Sequence, residues 1–249
     1  MTMIPFFRKI RYKLANDNHP AWPAGRFMRY AVGEIVLVVI GILIALQINN
    51  WNENRKDINK SKAILGEFKK DLASDTTGIN RVVKLLKRRT SYEAWALNRV
   101  VYNISQIDSL KQAFFNPVHQ EFIQDRTYKK LQVSQNPNLT GFLDLQKNLT
   151  TYYTDTKFLL DYNNQEEEKF LTEYNTDKIL RTELEMELDQ FPTLSSDGDQ
   201  METLIRYAQS IEGRNFLKAN YKRRNGMIHY FNRVKEEAIQ LIQQIDSRQ

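Results

Sequence analysis

The chain contains no cysteine, so disulfide cross-links, thiolate metal sites and cysteine nucleophiles are all excluded. Glycine and proline are scarce, at nine and six in 249 residues, which argues against a many-turned all-β design and for long helices. Histidine is scarcer still. His19, His119 and His229 stand about a hundred residues apart, and none falls in an HExxH or comparable ligand spacing. There is no glycine-rich phosphate loop, no GxGxxG and no GxSxG. Asp197-Gly198-Asp199 lacks the alternating carboxylates and closing glutamate of a calcium loop, and reads instead as the turn and cap before a helix. Carboxylates are so plentiful that an acid–base pair picked among them carries no signal. No catalytic residue, metal set or cofactor is nominated, and a non-enzymatic chain is the expectation.

What is present begins with one apolar run. Residues 35–46 are unbroken, yet these 12 residues fall short of the roughly 20 that span a bilayer. The flanks complete it: Ala31, Val32 and Gly33 precede the run, Ile48 follows, and Tyr30 and Trp51 occupy the places of interfacial aromatic anchors. Residues 30–51 therefore predict a helix of roughly 33 Å against a hydrocarbon core of about 30 Å. No small-residue cleavage pattern follows in residues 46–51, so the segment reads as an uncleaved signal anchor. At about 100° per residue, Glu34, Val38, Gly41, Ala45, Asn49 and Asn52 share one stripe. Two readings of it stay open. Gly41 and Ala45 form a small-xxx-small pair that suits close helix–helix approach in lipid, or the spacing is incidental and Glu34 simply reaches headgroup water.

The net charge of +6 is unevenly spread. Residues 1–30 carry Arg8, Lys9, Arg11, Lys13, Arg26 and Arg29 against Asp17; residues 31–56 balance; residues 57–249 hold 28 basic against 27 acidic side chains. The excess belongs to the head, so anionic lipid headgroups are the expected partner and nucleic acid is not. Ile4, Phe7, Ile10 and Leu14 recur at helical spacing among those cations and predict an interfacial helix over residues 4–14. A Pro/Gly tether over residues 16–25 joins it to the span. Basic residues also follow the span, leaving the positive-inside count nearly tied. The short head is placed in the cytoplasm because long domains cross largely regardless of charge. The expected organisation is a basic cytoplasmic head at 1–29, a single inner-membrane span at 30–51 and a periplasmic body at 52–249.

The body reads as helical throughout. Ile58, Leu65, Leu72, Ile79 and Leu86 recur every seven residues, with Phe68 and Val82 in companion positions that Ser61 and Asp75 interrupt. That pattern predicts a long helix packed in a bundle rather than an independent coiled coil. Asp75-Thr76-Thr77-Gly78 marks a bend or break, and a second helix is expected over residues 91–110. Asn116-Pro117 and Asn136-Pro137 bracket a short helix. Phe142, Leu145, Leu149, Tyr152 and Leu159 then resume helical spacing. The three glutamates at 166–168 read as a solvated face. Lys222-Arg223-Arg224 reads the same way, with a small anion-binding patch as its alternative. Met227, Phe231, Val234, Ala238, Leu241 and Ile245 make a second seam. Two seams at opposite ends of the body are most simply buried against each other and the middle helices. The fold expected is all-α: an N-terminal interfacial helix, one transmembrane helix, then an elongated antiparallel helical bundle.

The head and span, FFRKIRYKL followed by RYAVGEIVLVVIGILIALQINNWNENRK, resemble the N-terminal signature of a family of uncharacterised Bacteroidota membrane proteins, a domain of unknown function. The resemblance covers residues 6–56 and becomes a general pattern over the body. It implies a single-pass inner-membrane protein with a helical body, and it brings no catalytic residue. The expected role is protein interaction, sensing or scaffolding in the cell envelope, with a second copy or another membrane protein as partner. The alternative is an accessory subunit of a membrane transport or ion-driven complex that uses Glu34 as a protonatable group.

Overall fold

The structure, a computed structural model, describes residues 23–115, 120–174, 185, 190–192, 194 and 196–248. It is all-α, with no strand among the described residues. Two units divide the chain, Met1–Asn59 and Lys60–Gln249. The expected interfacial helix at 4–14 lies outside the described residues, as does residues 16–22 of the tether. The tether's last three residues are helical instead. Pro23 opens α1, where the missing N–H of proline costs no helical hydrogen bond.

Helix α1 runs over Pro23–Leu97, 75 residues, and corrects two expectations. It does not break at residues 75–78. The Thr76 and Thr77 hydroxyls donate to the Ala73 carbonyl at 2.8 and 2.9 Å, and Asp75 is held by partners outside the helix instead of capping a new one. Nor does a second helix begin at 91. Thr90 and Ser91 bond back to the carbonyls of Lys87 and Arg88, and α1 continues to Leu97. The break falls at residues 98–103, where the Tyr102 hydroxyl donates to the Ala96 carbonyl at 2.6 Å. A single 3-10 turn, Ile104–Gln106, then leads into α2, Ile107–Phe114.

Five further helices follow among the described residues: α3 at Arg126–Gln132, α4 at Leu143–Thr151 continued by a π-helical turn at Tyr152–Thr156, α5 at Lys157–Tyr174, then α6 at Asp197–Gln209 and α7 at Ile211–Asp246. Side-chain pairs fix their directions. Along α1, Lys69, Asn80, Glu93 and the Leu97 carbonyl meet Asp246, Lys235, Arg224 and Arg214, so α7 runs antiparallel to α1. Glu67, Asp71, Asp75 and Arg81 meet Lys130, Thr127, Gln124 and Glu121, so residues 121–130 also descend along α1. Asn148, Thr156 and Glu167 meet Gln244, Glu237 and Arg223, which sets α4 and α5 antiparallel to α7. The result is the expected antiparallel bundle.

Its core is the two seams. Leu65, Phe68, Leu72, Ile79, Val82 and Leu86 are buried, as are Phe231, Val234, Ala238, Leu241 and Ile245. The π turn explains one departure. It buries both Tyr152 and Tyr153 and advances the register, so Leu160 rather than the expected Leu159 continues the seam, while Leu159 is exposed. Where α1 ends, α2, α6 and the start of α7 form a second cluster in which Phe114 stacks on Phe216 and meets Tyr207 edge-on. The expected cap is present: the Ser196 hydroxyl accepts from the Asp199 N–H and opens α6.

Candidate functional site

Within Met1–Asn59, α1 carries an 18-residue stretch of mean hydropathy 2.6, long and apolar enough to cross a membrane, and none of it is buried. All side chains over residues 35–46 are exposed except half-buried Leu37. Arg55 sits over the exposed Trp51 ring, its guanidinium carbon 5.3 Å from the ring centre, an aromatic–cation pair suited to a headgroup boundary. On the stripe, Glu34, Gly41, Ala45 and Asn49 are all exposed. A methyl group added at Gly41 meets nothing within 4 Å, and Asn49 donates to Glu53 at 3.1 Å. Arg26, Arg29 and Tyr30 belong to α1, but their side chains lie outside the described residues, as do Arg8, Lys9, Arg11 and Lys13 entirely.

The second unit holds its polar chemistry inside. Asp75 interrupts the α1 seam and is 2% exposed. One carboxylate oxygen accepts the Gln124 backbone N–H at 2.8 Å and the other accepts the Tyr152 hydroxyl at 3.1 Å. Burial pushes its carboxyl up to about 7, against the opposing pull of those two hydrogen bonds and with help from the negative charges of Asp71 and Glu121. One turn earlier, Asp71 has the opposite outcome. Burial alone would raise it, but the Thr127 hydroxyl, Arg126, the Thr127 N–H and the Arg126 charge together hold it below the ordinary value. Tyr153 stacks on Tyr128 with ring centres 5.2 Å apart, and its buried hydroxyl has no hydrogen-bond partner among the described residues. Burial, then the charges of Asp75, Asp71 and Asp125, push its proton loss far up.

Further along α1, arginines and glutamates replace the apolar seam. Glu93 is fully buried and pairs with Arg224 of α7. Glu167 of α5 pairs with Arg223, which also donates to the Asn220 side chain at 2.7 Å and lies over the Phe170 ring. Arg89, one turn before Glu93, is 6% exposed, and its Nε and Nη2 have no hydrogen-bond partner among the described residues. Burial and then the neighbouring Arg224 charge push Arg89 down to about 9, and burial pushes Arg223 and Arg224 to about 10. These findings correct two expectations. The middle glutamate of 166–168 is not solvated, and Arg223-Arg224 is neither an open face nor a surface anion patch. Asn220 and Arg224 continue the α7 seam inward, where Glu93 supplies the counter-charge that retains Arg224 across the bundle.

Among the described residues no cluster of three His, Asp or Glu side chains is placed to hold a metal ion, and His229 is exposed. His19 and His119 lie outside the described residues. Residues 34–177, more than half of the chain, match the model of a family described as a family of unknown function, DUF6090. No curated protein and no solved structure matches the chain.

Proposed function

The chain belongs to the DUF6090 family, and from that premise we propose that it is a membrane-anchored, non-enzymatic helical module that works by protein interaction, sensing or scaffolding in the cell envelope. The observation that carries this reading is the exposed apolar segment of α1. Over residues 35–46 apolar side chains point outward on every face of the helix, and none of the stretch is buried. A helix apolar all round needs an apolar environment, and a bilayer matches its length. Tyr30 and Trp51 mark the two interfaces, and the basic head of Arg8, Lys9, Arg11, Lys13, Arg26 and Arg29 lies on anionic lipid at the cytoplasmic face. The body then stands on the periplasmic side of the inner membrane. The solvent-exposed stripe of Glu34, Gly41, Ala45 and Asn49 offers the span to a second helix, from another copy or from a membrane partner.

The test is chemical cross-linking of cells followed by purification in mild detergent. The reading predicts recovery of a self-association product or a reproducible membrane partner, weakened by Gly41→Leu without change in helical content. Recovery of free monomer alone contradicts it.

A further inference from the structure

We infer that the bundle contains a binding site for a small, uncharged, predominantly aromatic molecule of about two fused rings. The site is a cavity of about 330 Å³ where α1, the end of α3 and α4 diverge. Buried Phe68, Leu139 and Leu149 form its inner wall, the Tyr128 ring one side, and Gln132 and Thr150 its polar margin. The cavity exists because the chain must turn between α3 and α4, through Gly141 at φ 83°, a conformation that favours glycine. Gln146 fixes that turn: its amide oxygen accepts the Leu139 N–H at 2.7 Å and its amide nitrogen donates to the Pro137 carbonyl at 3.0 Å. The wall is therefore shaped by the hydrogen bonds of the Gln146 side chain to the backbone rather than by what fills it.

Size, lining and rigidity each restrict the occupant. An enclosed cavity of about 150 Å³ already accommodates benzene, and this larger recess, open to solvent on one side, has room for a fused bicyclic or a substituted phenyl ring. The lining includes no charged side chain, so an ionised ligand would lose its hydration without compensation. Gln132 and Thr150 supply hydrogen bonds for one polar substituent at the margin. Phe68 and Tyr128 offer ring faces, and both are braced by Tyr153, whose ring centre lies 5.5 Å from the first and 5.2 Å from the second. A pre-formed recess with apolar inner walls and polar groups at its rim is a common form of a small-molecule site. The inference gives the sensing form of the proposed function a ligand class and rests on that reading for its biological meaning, but the binding itself is measured without it.

The experiment is saturation-transfer NMR on the full chain in lipid nanodiscs, with indole and 2-naphthol as neutral probes and indole-3-carboxylate as the anionic control. Thr150→Phe and, separately, Gln132→Trp plug the margin, in matched nanodiscs so that partitioning into lipid cancels. Thermal unfolding confirms that each variant is folded, and the exposed Gln132 position keeps the test open if Thr150→Phe is not. Expected are saturable transfer from a neutral probe, at least tenfold weaker binding to the plugged chain, and at least tenfold weaker binding of the carboxylate. Equal binding by wild type and plugged chain, or by neutral and anionic probes, overturns the inference, as does no saturable transfer from either neutral probe. Flotation of the same preparation with lipid separates the two readings: a chain that floats but does not bind loses the cavity site and keeps the anchor.

Discussion

Asp75 keeps a proton that a surface aspartate gives up. Its folded value of about 7 against an ordinary 3.8 means the folded chain binds more protons than the unfolded chain between those limits. Stability owed to this group is therefore fullest below pH 3.8 and declines as the pH rises through 7, by roughly 4 kcal/mol at about 1.4 kcal/mol per tenfold change. Asp71 works in the opposite sense, contributing stability that is lost only as the pH falls below 3.8. Asp75→Asn keeps an acceptor for the Gln124 N–H and removes the charge. Urea unfolding at pH 5 and pH 8 should show the variant gaining on wild type as the pH rises; a constant difference would show that Asp75 is ionised throughout. In the arginine layer, the fully buried Glu93 pairs with Arg224 across the bundle. Glu93→Met leaves Arg224 buried without its counter-charge and should cost about 3–5 kcal/mol, more than the double variant Glu93→Met with Arg224→Met. A double variant less stable than Glu93→Met in urea denaturation would contradict this pairing. These residues were partly legible. The seven-residue period through Ile79 and Leu86 reaches Glu93, and the period through Phe68 and Val82 reaches Arg89; the α7 seam stepped back from Met227 reaches Arg224, Asn220, Leu217 and Gly213. The pattern reads as ending where side chains become charged, because charge reads as surface until the counter-charge is known. Glu167 had no such signal, since its neighbours are also glutamates.

The elements carry the same lesson in their boundaries. Local composition placed breaks at residues 75–78 and 91, where hydroxyl residues and a glycine gather, but threonine and serine can also bond back to their own helix. Tertiary packing decided between these uses, and no stretch of sequence shows it. The π turn is equally silent in the sequence, although Tyr152-Tyr153 is its only visible trace: two adjacent large residues cannot share one regular helical stripe unless the register slips. The junction of α6 and α7 is sharper. Ser210 caps α7 by accepting the Gly213 N–H at 3.0 Å, and a methyl at Gly213 would collide with the Tyr207 carbonyl oxygen. Gly213→Ala should therefore lose about 1–3 kcal/mol or more through overpacking against backbone. Gly66 sits mid-helix in α1 with nothing within 4 Å of an added methyl, and Gly66→Ala should gain about 0.5–1 kcal/mol. The opposite signs are checked by thermal unfolding of the two variants side by side; a stabilising Gly213→Ala would mean that α6 and α7 do not approach this closely.

At the scale of the whole molecule, the all-α class and the antiparallel bundle were legible because the two seams are long and regular, and regular stripes must be buried. The cavity and the buried charges were not, since both depend on which distant segments meet. The apolar segment was legible for a different reason: it is a local property of twenty-odd residues, and the structure leaves those side chains outward and unburied. The proposed function has this segment crossing a membrane, with the head inside and the bundle outside. The chain's lack of cysteine makes that claim directly measurable. Thr2→Cys and Ser247→Cys, made one at a time, are exposed to a membrane-impermeant maleimide in intact and in permeabilised spheroplasts. The account predicts labelling of Ser247→Cys from outside intact spheroplasts and of Thr2→Cys only after permeabilisation. Labelling of Thr2→Cys in intact spheroplasts, or recovery of both variants in the soluble fraction, would contradict it.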